Sequence, residues 1–315
     1  MKRIIIINGT LGIGKSTVAK DLAQSIDRSC YLEGDSVTHS IPDWDVRCES
    51  KIKKAIEEIA TIAKYSLKHG LSTVVIDFVF EKPEHIKYMQ DLFHGLVGEL
   101  RVFYLKADTQ EIENRISSRA RENFQLEQTR THEILAQQSN YLDDISLGIS
   151  VESSGKSVSE ITEHILFQLK HRLNAAAFIK DSSGNFLFCH RRDIPNKNKG
   201  FQLPQGGIEP FEIPVETIKR ELLEELFLED YQTLAQTKQA RPYYWKKGQI
   251  YDHYIGQLQY YFLIEVNDEQ KKQITKSNDF DFYIWEPIDT ILGNAVSYKR
   301  DVYQNAWQEL KDYNQ

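Results

Sequence analysis

Two stretches of this 315-residue chain set reactive side chains at spacings that ordinary surfaces do not need. In the second half, Gly206 is followed after five residues by Glu212 and after seven more by Arg220-Glu221-Leu222-Leu223-Glu224-Glu225. On a helix Glu221, Glu224 and Glu225 stand at i, i+3 and i+4, so three like charges share one face, and each close pair costs a few tenths of a kcal/mol. A cation should compensate. Clustered carboxylates suit the hard ions Mg2+ and Mn2+, which bridge to a diphosphate, polarise phosphorus and acidify an attacking water. A solvated acidic helix with Arg220 and Glu224 as an ordinary i, i+4 pair explains neither Gly206 nor Glu212.

In the first half Gly9-Thr10-Leu11-Gly12-Ile13-Gly14-Lys15-Ser16 fits G-x-x-x-x-G-K-[ST], with Thr17 next, between an apolar run and an amphipathic stretch. The glycines let backbone N–H groups turn inward around phosphate oxygens, and the positive end of the following helix adds attraction. Gly9, Gly12, Gly14, Lys15, Ser16 and Thr17 are therefore candidate nucleotide-binding residues. Lys15 neutralises the β and γ phosphates, and Ser16 ligates magnesium.

The elements that must hold these groups follow two grammars. Up to His171, apolar strand candidates (Arg3 to Ile7, Cys30 to Leu32, Thr73 to Val79, Leu100 to Leu105, Ile145 to Val151) alternate with helix candidates, among them Ser50 to Lys68 and Val158 to Arg172. That alternation predicts an α/β domain over 1–171, a parallel sheet with helices on both faces. Beyond it come short strands with Gly and Asn turns: Ala175 to Ile179, Phe186 to His190, Gln257 to Val266 and Phe280 to Trp285. One strong helix, Val215 to Phe227, lies among them. Residues 172–315 thus read as an α+β domain.

The first half resembles the small P-loop kinases of nucleosides, nucleotides and other metabolites. That resemblance implies a P-loop NTPase fold with ATP as phosphate donor. It also implies that Asp35, in Glu33-Gly34-Asp35, orients or deprotonates the acceptor hydroxyl, and that Asp77, after Val74-Val75-Ile76, holds magnesium through water. Arg115, Arg119 and Arg121 match arginines that close over the transferring phosphate; a solvated charged face explains them as well. A switch GTPase is disfavoured, since Asn196-Lys197-Asn198-Lys199 lacks the aspartate of a guanine signature.

The second half reproduces the Nudix box in all but one fixed position. Around the box the chain resembles bacterial RNA 5′-pyrophosphohydrolases and related dinucleoside polyphosphate hydrolases, in Phe201-Gln202-Leu203-Pro204-Gln205-Gly206-Gly207-Ile208, in 255–263 and in 296–303. The resemblance implies a Nudix fold in which the Gly206 carbonyl, Glu221, Glu224 and Glu225 ligate metal and Arg220 orients the carboxylates. Asp279 becomes a further acidic ligand or base, and Arg172 and Arg192 face substrate phosphates. Phe227 stands where the box has the glycine that ends its helix, and Phe211 replaces a glycine customary in the resembling family. A phenylalanine in left-handed geometry costs roughly 1 to 2 kcal/mol, so the end of the box helix is expected to be rebuilt.

Composition narrows the classes further. The halves on either side of His171 carry −4 and −3 of the total charge of −7, so neither is a bulk-charge nucleic-acid binder, and duplex DNA is not an expected partner. His190-Arg191-Arg192, Lys197 and Lys199 either guide a phosphorylated 5′ end or are solvated surface. Tyr243-Tyr244-Trp245 either stacks a base or is core. Cys30, Cys48 and Cys189 lack metal-site spacing, the longest aliphatic run is Ile4 to Ile7, and no secretory signal is complete, so a reduced cytoplasmic protein is expected. The expectation is a bifunctional enzyme: a Mg2+- or Mn2+-dependent Nudix pyrophosphohydrolase of nucleoside 5′-polyphosphates, either RNA 5′ ends or dinucleoside polyphosphates, fused to an ATP-dependent kinase-like domain. The alternative makes ATP an effector, the P-loop half being a nucleotide sensor that gates the hydrolase. Nothing in the sequence sets the oligomeric state.

Overall fold

The structure is a computed structural model that describes residues 1–118, 124–141, 144–196, 200–245, 253–275 and 280–313. The chain divides into two compact units, Met1–Phe167 and Gln168–Gln315.

In the first unit β1 (Arg3–Asn8), β2 (Ser29–Glu33), β3 (Thr73–Asp77), β4 (Glu99–Lys106) and β5 (Ile149–Glu152) form a parallel sheet in the order β2-β3-β1-β4-β5. Ile4 to Ile7 in the central strand are fully buried, the pattern of a strand covered on both faces. The helix Glu49–Lys68 buries Ala55, Ile56, Ile59, Ala60, Ala63 and Leu67. Ile52, assigned to the same face by its spacing, instead lines a cavity. Register brings the chemistry to one edge: Asp77 pairs with Ile7 on one side and Glu33 on the other, so the glycine loop, Asp35 and Asp77 all leave the sheet at its carboxyl end.

Two strands are shorter than the sequence suggests. β3 stops at Asp77. The stretch before β5 is a turn in which Leu147 N donates to Asp144 O at 3.0 Å and Gly148 lies against Tyr104 with no room for a side chain. The helix expected to reach Arg172 ends at Leu169, because His171 and Arg172 open a strand whose pairing is worth more than another helical turn.

That strand, β6 (His171–Asp181), starts the second unit. It pairs in parallel with β12 (Gly256–Val266) over eleven residues, from His171↔Gly256 to Asp181↔Val266. The other strands are β7 (Phe186–Arg191), β8 (Phe201–Gln202), β9 (Gln205–Gly207), β10 (Gln232–Gln236), β11 (Arg241–Tyr244) and β13 (Phe280–Glu286). Together they make a mixed sheet with the path β10-β12-β6-β7-β13, with β11 on β12, β8 on β7 and β9 on β6. Phe178, Phe188, Tyr261, Tyr303 and Trp307 fill a core between this sheet and the helix Ser297–Leu310. The aromatic triplet divides: Tyr243 is buried in that core, while Tyr244 is exposed.

The box helix runs Pro214–Leu226, and its end is not rebuilt. Phe227 itself takes the left-handed geometry (φ 55°, ψ 31°), its N–H donating to Leu223 O at 3.0 Å. The fully buried Leu228 donates to Leu222 O at 3.1 Å and pins the chain beyond it. Burial of Leu228 outweighs the strain of one exposed phenylalanine. Phe211 also sits at positive φ, 70°.

Candidate functional site

In the second unit β9 runs beside β6, with Gly206 opposite Ala175 and Gly207 opposite Asn174, and the box helix lies across the pair. A Cβ at Gly206 would overlap the carboxylate of Glu221, and one at Gly207 would overlap the guanidinium of Arg172. The glycine pair is thus two seats, one for an acid and one for a base. Arg172 also reaches Glu209 at 3.6 Å.

Arg220 is the hub. Its Nε and Nη2 grip the two oxygens of Glu212 at 2.9 Å each, Nη2 also donates to Gly207 O at 3.0 Å, and Nη1 lies 2.5 Å from Glu221 and 3.4 Å from Glu224. Glu212 is held from behind by Thr217 Oγ1 at 2.7 Å and Glu209 N at 3.0 Å. The i, i+4 contact with Glu224 is therefore the longest of these bonds, and Glu212, eight residues away, is the principal partner. Desolvation alone would raise the Glu212 pKa, but Arg220, the Glu209 amide and Thr217 together pull it below the ordinary value. At Glu221 burial wins: its pKa is raised despite Arg220, with Glu224 and Glu212 adding repulsion. These bonds to Glu212 and Glu221 hold the Arg220 guanidinium firmly protonated.

Glu225 turns elsewhere and accepts the Gln205 backbone N–H at 2.9 Å. Among the described residues no three acidic, histidine or cysteine side chains converge as a metal cluster. Arg220 Nη1 stands between the Glu221 and Glu224 carboxylates and offsets part of their repulsion, and the carboxylate oxygens are donors of the kind a hard dication takes. Glu221, Glu224, Glu225 and the Gly206 carbonyl are the residues that would hold it. Asp279, Lys197 and Lys199 lie outside the described residues. The described acid beside them, Asp281, stands 3.6 Å from Arg192 and 3.7 Å from His190.

Sequence reasoning missed Lys299. It is buried, its Nζ donates to Gln205 Oε1 at 2.7 Å and Gln202 Oε1 at 3.2 Å, and its pKa is pushed down to about 7 by desolvation and then by Arg191, against the pull of Glu225. The Lys-Arg pair in 299–300 signalled charge but not which of the two turns inward.

In the first unit the glycine loop opens the helix Lys15–Gln24, with Gly14 at φ 104°, a geometry costly for any other residue. Lys15 Nζ donates to Thr10 O at 3.0 Å, and Ser16 Oγ donates to Asp77 Oδ2 at 2.6 Å. The other oxygen, Asp77 Oδ1, is buried beside the Tyr31 hydroxyl without a hydrogen-bond partner. An unsatisfied carboxylate oxygen beside Ser16 fits a magnesium site held by these two residues. Asn8 ties the loop to the chain after β3, its Oδ1 accepting from Gly9 N at 2.7 Å and Phe80 N at 3.0 Å. Arg115 braces the loop from outside through Ile13 O at 2.9 Å and ion-pairs with Glu111. Arg119 and Arg121 lie outside the described residues. Asp35 faces Lys15, Asp77 and Glu33; desolvation raises its pKa, with Lys15 opposing.

The patterns described as a NUDIX domain and an AAA domain match residues 170–306 and 4–142. The chain is similar to the RNA pyrophosphohydrolases of Pseudomonas fluorescens (strain SBW25) and Pseudomonas putida (strain GB-1), 34% identical over 148 residues, which is 44% of this chain and 91% of each relative. The chain belongs to the Nudix family. Its Nudix half follows a P-loop, kinase-like half. Among solved structures, a sugar kinase from Janibacter sp. HTCC2649 (15% identity, 54% of this chain, 95% of that chain, TM-score 0.41) is similar. So is a MutT protein from Methanosarcina mazei Go1 (22% identity, 45% and 96%, TM-score 0.32). Among the described residues no helix of this Nudix protein is long and apolar enough to cross a membrane.

Proposed function

We propose that the Nudix half is a divalent-metal-dependent pyrophosphohydrolase of nucleoside 5′-polyphosphates, with di- and triphosphorylated RNA 5′ ends as its leading substrates. The observation that carries this reading is the Glu212–Arg220–Glu221 chain of contacts seated on Gly206, where the absence of a side chain leaves room for the Glu221 carboxylate. The similarity to RNA pyrophosphohydrolases of Pseudomonas supports the RNA end as substrate.

A bound Mg2+ or Mn2+ supplies charge neutralisation at phosphorus and a more acidic water. The chain does the rest. Arg220 holds Glu221 and Glu224 in place. Arg172, laid over Gly207, is positioned to meet a phosphate oxygen. The oxygen of water attacks phosphorus, the P–O–P bridge breaks, and the water proton passes to a box carboxylate. Incubation with triphosphorylated RNA and, separately, a dinucleoside polyphosphate, each with and without magnesium, tests the reading; cleavage of neither ends it.

We infer that the P-loop half transfers the γ-phosphate of ATP to a hydroxyl held near Asp35, supported by the Ser16–Asp77 pair and by the cavity that Asp35 lines. ATP turnover abolished by Lys15→Ala is the expected result. Turnover that survives Lys15→Ala contradicts the kinase reading. ATP that changes the hydrolase rate with no phosphorylated product favours the sensor instead.

A further inference from the structure

The cavity beside the phosphate loop has a chemical bias of its own. It measures about 280 Å3, near the small end of ligand sites, roughly 300 Å3 and upward, so it suits a compact molecule. Its walls are largely apolar, built from Leu11, Trp44, Val46, Ile52, Phe78 and Ile134. Asp35 marks the end nearest the transfer chemistry, within the field of Lys15 and Asp77.

Two of the polar groups on the wall, Arg130 and His85, already have carboxylate partners. Arg130 ion-pairs with Glu81 and, through Nη1, with Glu133 at 2.8 Å. His85 Nε2 meets Glu49 at 3.0 Å. Counting carboxylates and guanidinium groups only, the described lining residues set Asp35 and Glu81 against Arg130, a formal excess of one negative charge. A phosphate or carboxylate on an incoming molecule would lose its water and meet like charge, with the described arginine of the wall shared between two glutamates.

We propose that this cavity takes an uncharged alcohol with an apolar body as phosphoryl acceptor, which rests on the kinase reading above. The acceptor oxygen attacks the γ-phosphorus of ATP, the bond from that phosphorus to the β–γ bridging oxygen breaks, ADP leaves, and the hydroxyl proton goes to the Asp35 carboxylate. Asp35 is legible in the sequence, but the Arg130–Glu81 pair of the wall is not, because the two are 49 positions apart.

Matched pairs of acceptors test it in the full-length protein with radiolabelled ATP: 4-(hydroxymethyl)benzamide against 4-(hydroxymethyl)benzoate, and 4-(hydroxymethyl)phenylacetamide against 4-(hydroxymethyl)phenylacetate. The neutral member of a pair is expected to be phosphorylated with kcat/KM at least about tenfold above its anionic twin, a difference of ~1.4 kcal/mol. Glu81→Gln, which relieves one negative charge and loosens Arg130, is expected to narrow that ratio. Equal or better transfer to the anionic members overturns the inference, as does a ratio unmoved by Glu81→Gln. Lys15-dependent ATP turnover with no product from any of the four overturns it too while leaving the kinase reading in place. Failure to bind or turn over ATP at all removes the kinase reading itself.

Discussion

The carboxylate of Glu221 occupies the space that a side chain on Gly206 would need. Gly206 comes from a strand of three and Glu221 from a thirteen-residue helix, and a side chain added at Gly206 would force the Glu221 carboxylate to move. Gly206→Ala is therefore expected to keep the fold and displace Glu221. A misplacement of about 1 Å costs on the order of a hundredfold in rate. Hydrolysis kinetics beside a thermal melt check this: kcat falls by about that factor while Tm moves little.

Glu212 is the anchor of Arg220, and its depressed pKa makes it a source of pH-dependent stability. A carboxylate whose folded pKa lies below its unfolded value stabilises the fold above the unfolded value and loses that contribution as pH falls through the folded one. Glu212→Gln is expected to cost about 1 to 2 kcal/mol near neutral pH, the range for hydrogen bonds to a charged partner at a partly exposed site. Denaturant unfolding of both proteins should show the gap closing below about pH 4, near the ordinary glutamate range.

Lys299 has the opposite signature. Its folded pKa, near 7, lies far below that of an unfolded lysine, so between about pH 7 and 10 the unfolded chain holds a proton that the folded chain has released. Stability contributed at this site rises with pH across that window, and below it the buried charge is a constant penalty. Unfolding measured at pH 7 and pH 9 is expected to show that rise in the wild type and a flatter response in Lys299→Met.

Phe227 holds a conformation that suits glycine, with its ring exposed. Phe227→Gly should raise stability by about 1 kcal/mol, because strain is relieved and little burial is lost, whereas Phe227→Ala keeps the strain and gains nothing. Urea midpoints for the three proteins separate these outcomes.

These residues also show what a sequence can and cannot reveal. The strand–loop–helix around Lys15 and the spacing from Gly206 to Glu225 were legible, because both are local patterns whose geometry follows from helix period and glycine placement. Pairings across the sheet were not. The parallel register of β6 with β12 joins residues some eighty-five positions apart, and it converted the expected end of a helix into a strand. Helix period offers Arg220 the i, i+4 partner Glu224, which proves its longest contact at 3.4 Å; the 2.9 Å bonds go to Glu212, which that period does not reach. The departure from glycine at Phe227 is visible in the sequence, but the full burial of Leu228 beyond it is not.

The account stands or falls on whether the box carboxylates serve phosphoanhydride hydrolysis. The most direct measurement is release of phosphate or pyrophosphate from 5′-triphosphorylated RNA in magnesium, comparing wild type with Glu221→Gln and Glu224→Gln, each confirmed folded. The expected result is magnesium-dependent turnover by the wild type, reduced by about a hundredfold or more in both variants. Wild-type protein that leaves the RNA intact, or variants that cleave it as fast as the wild type, would contradict the account.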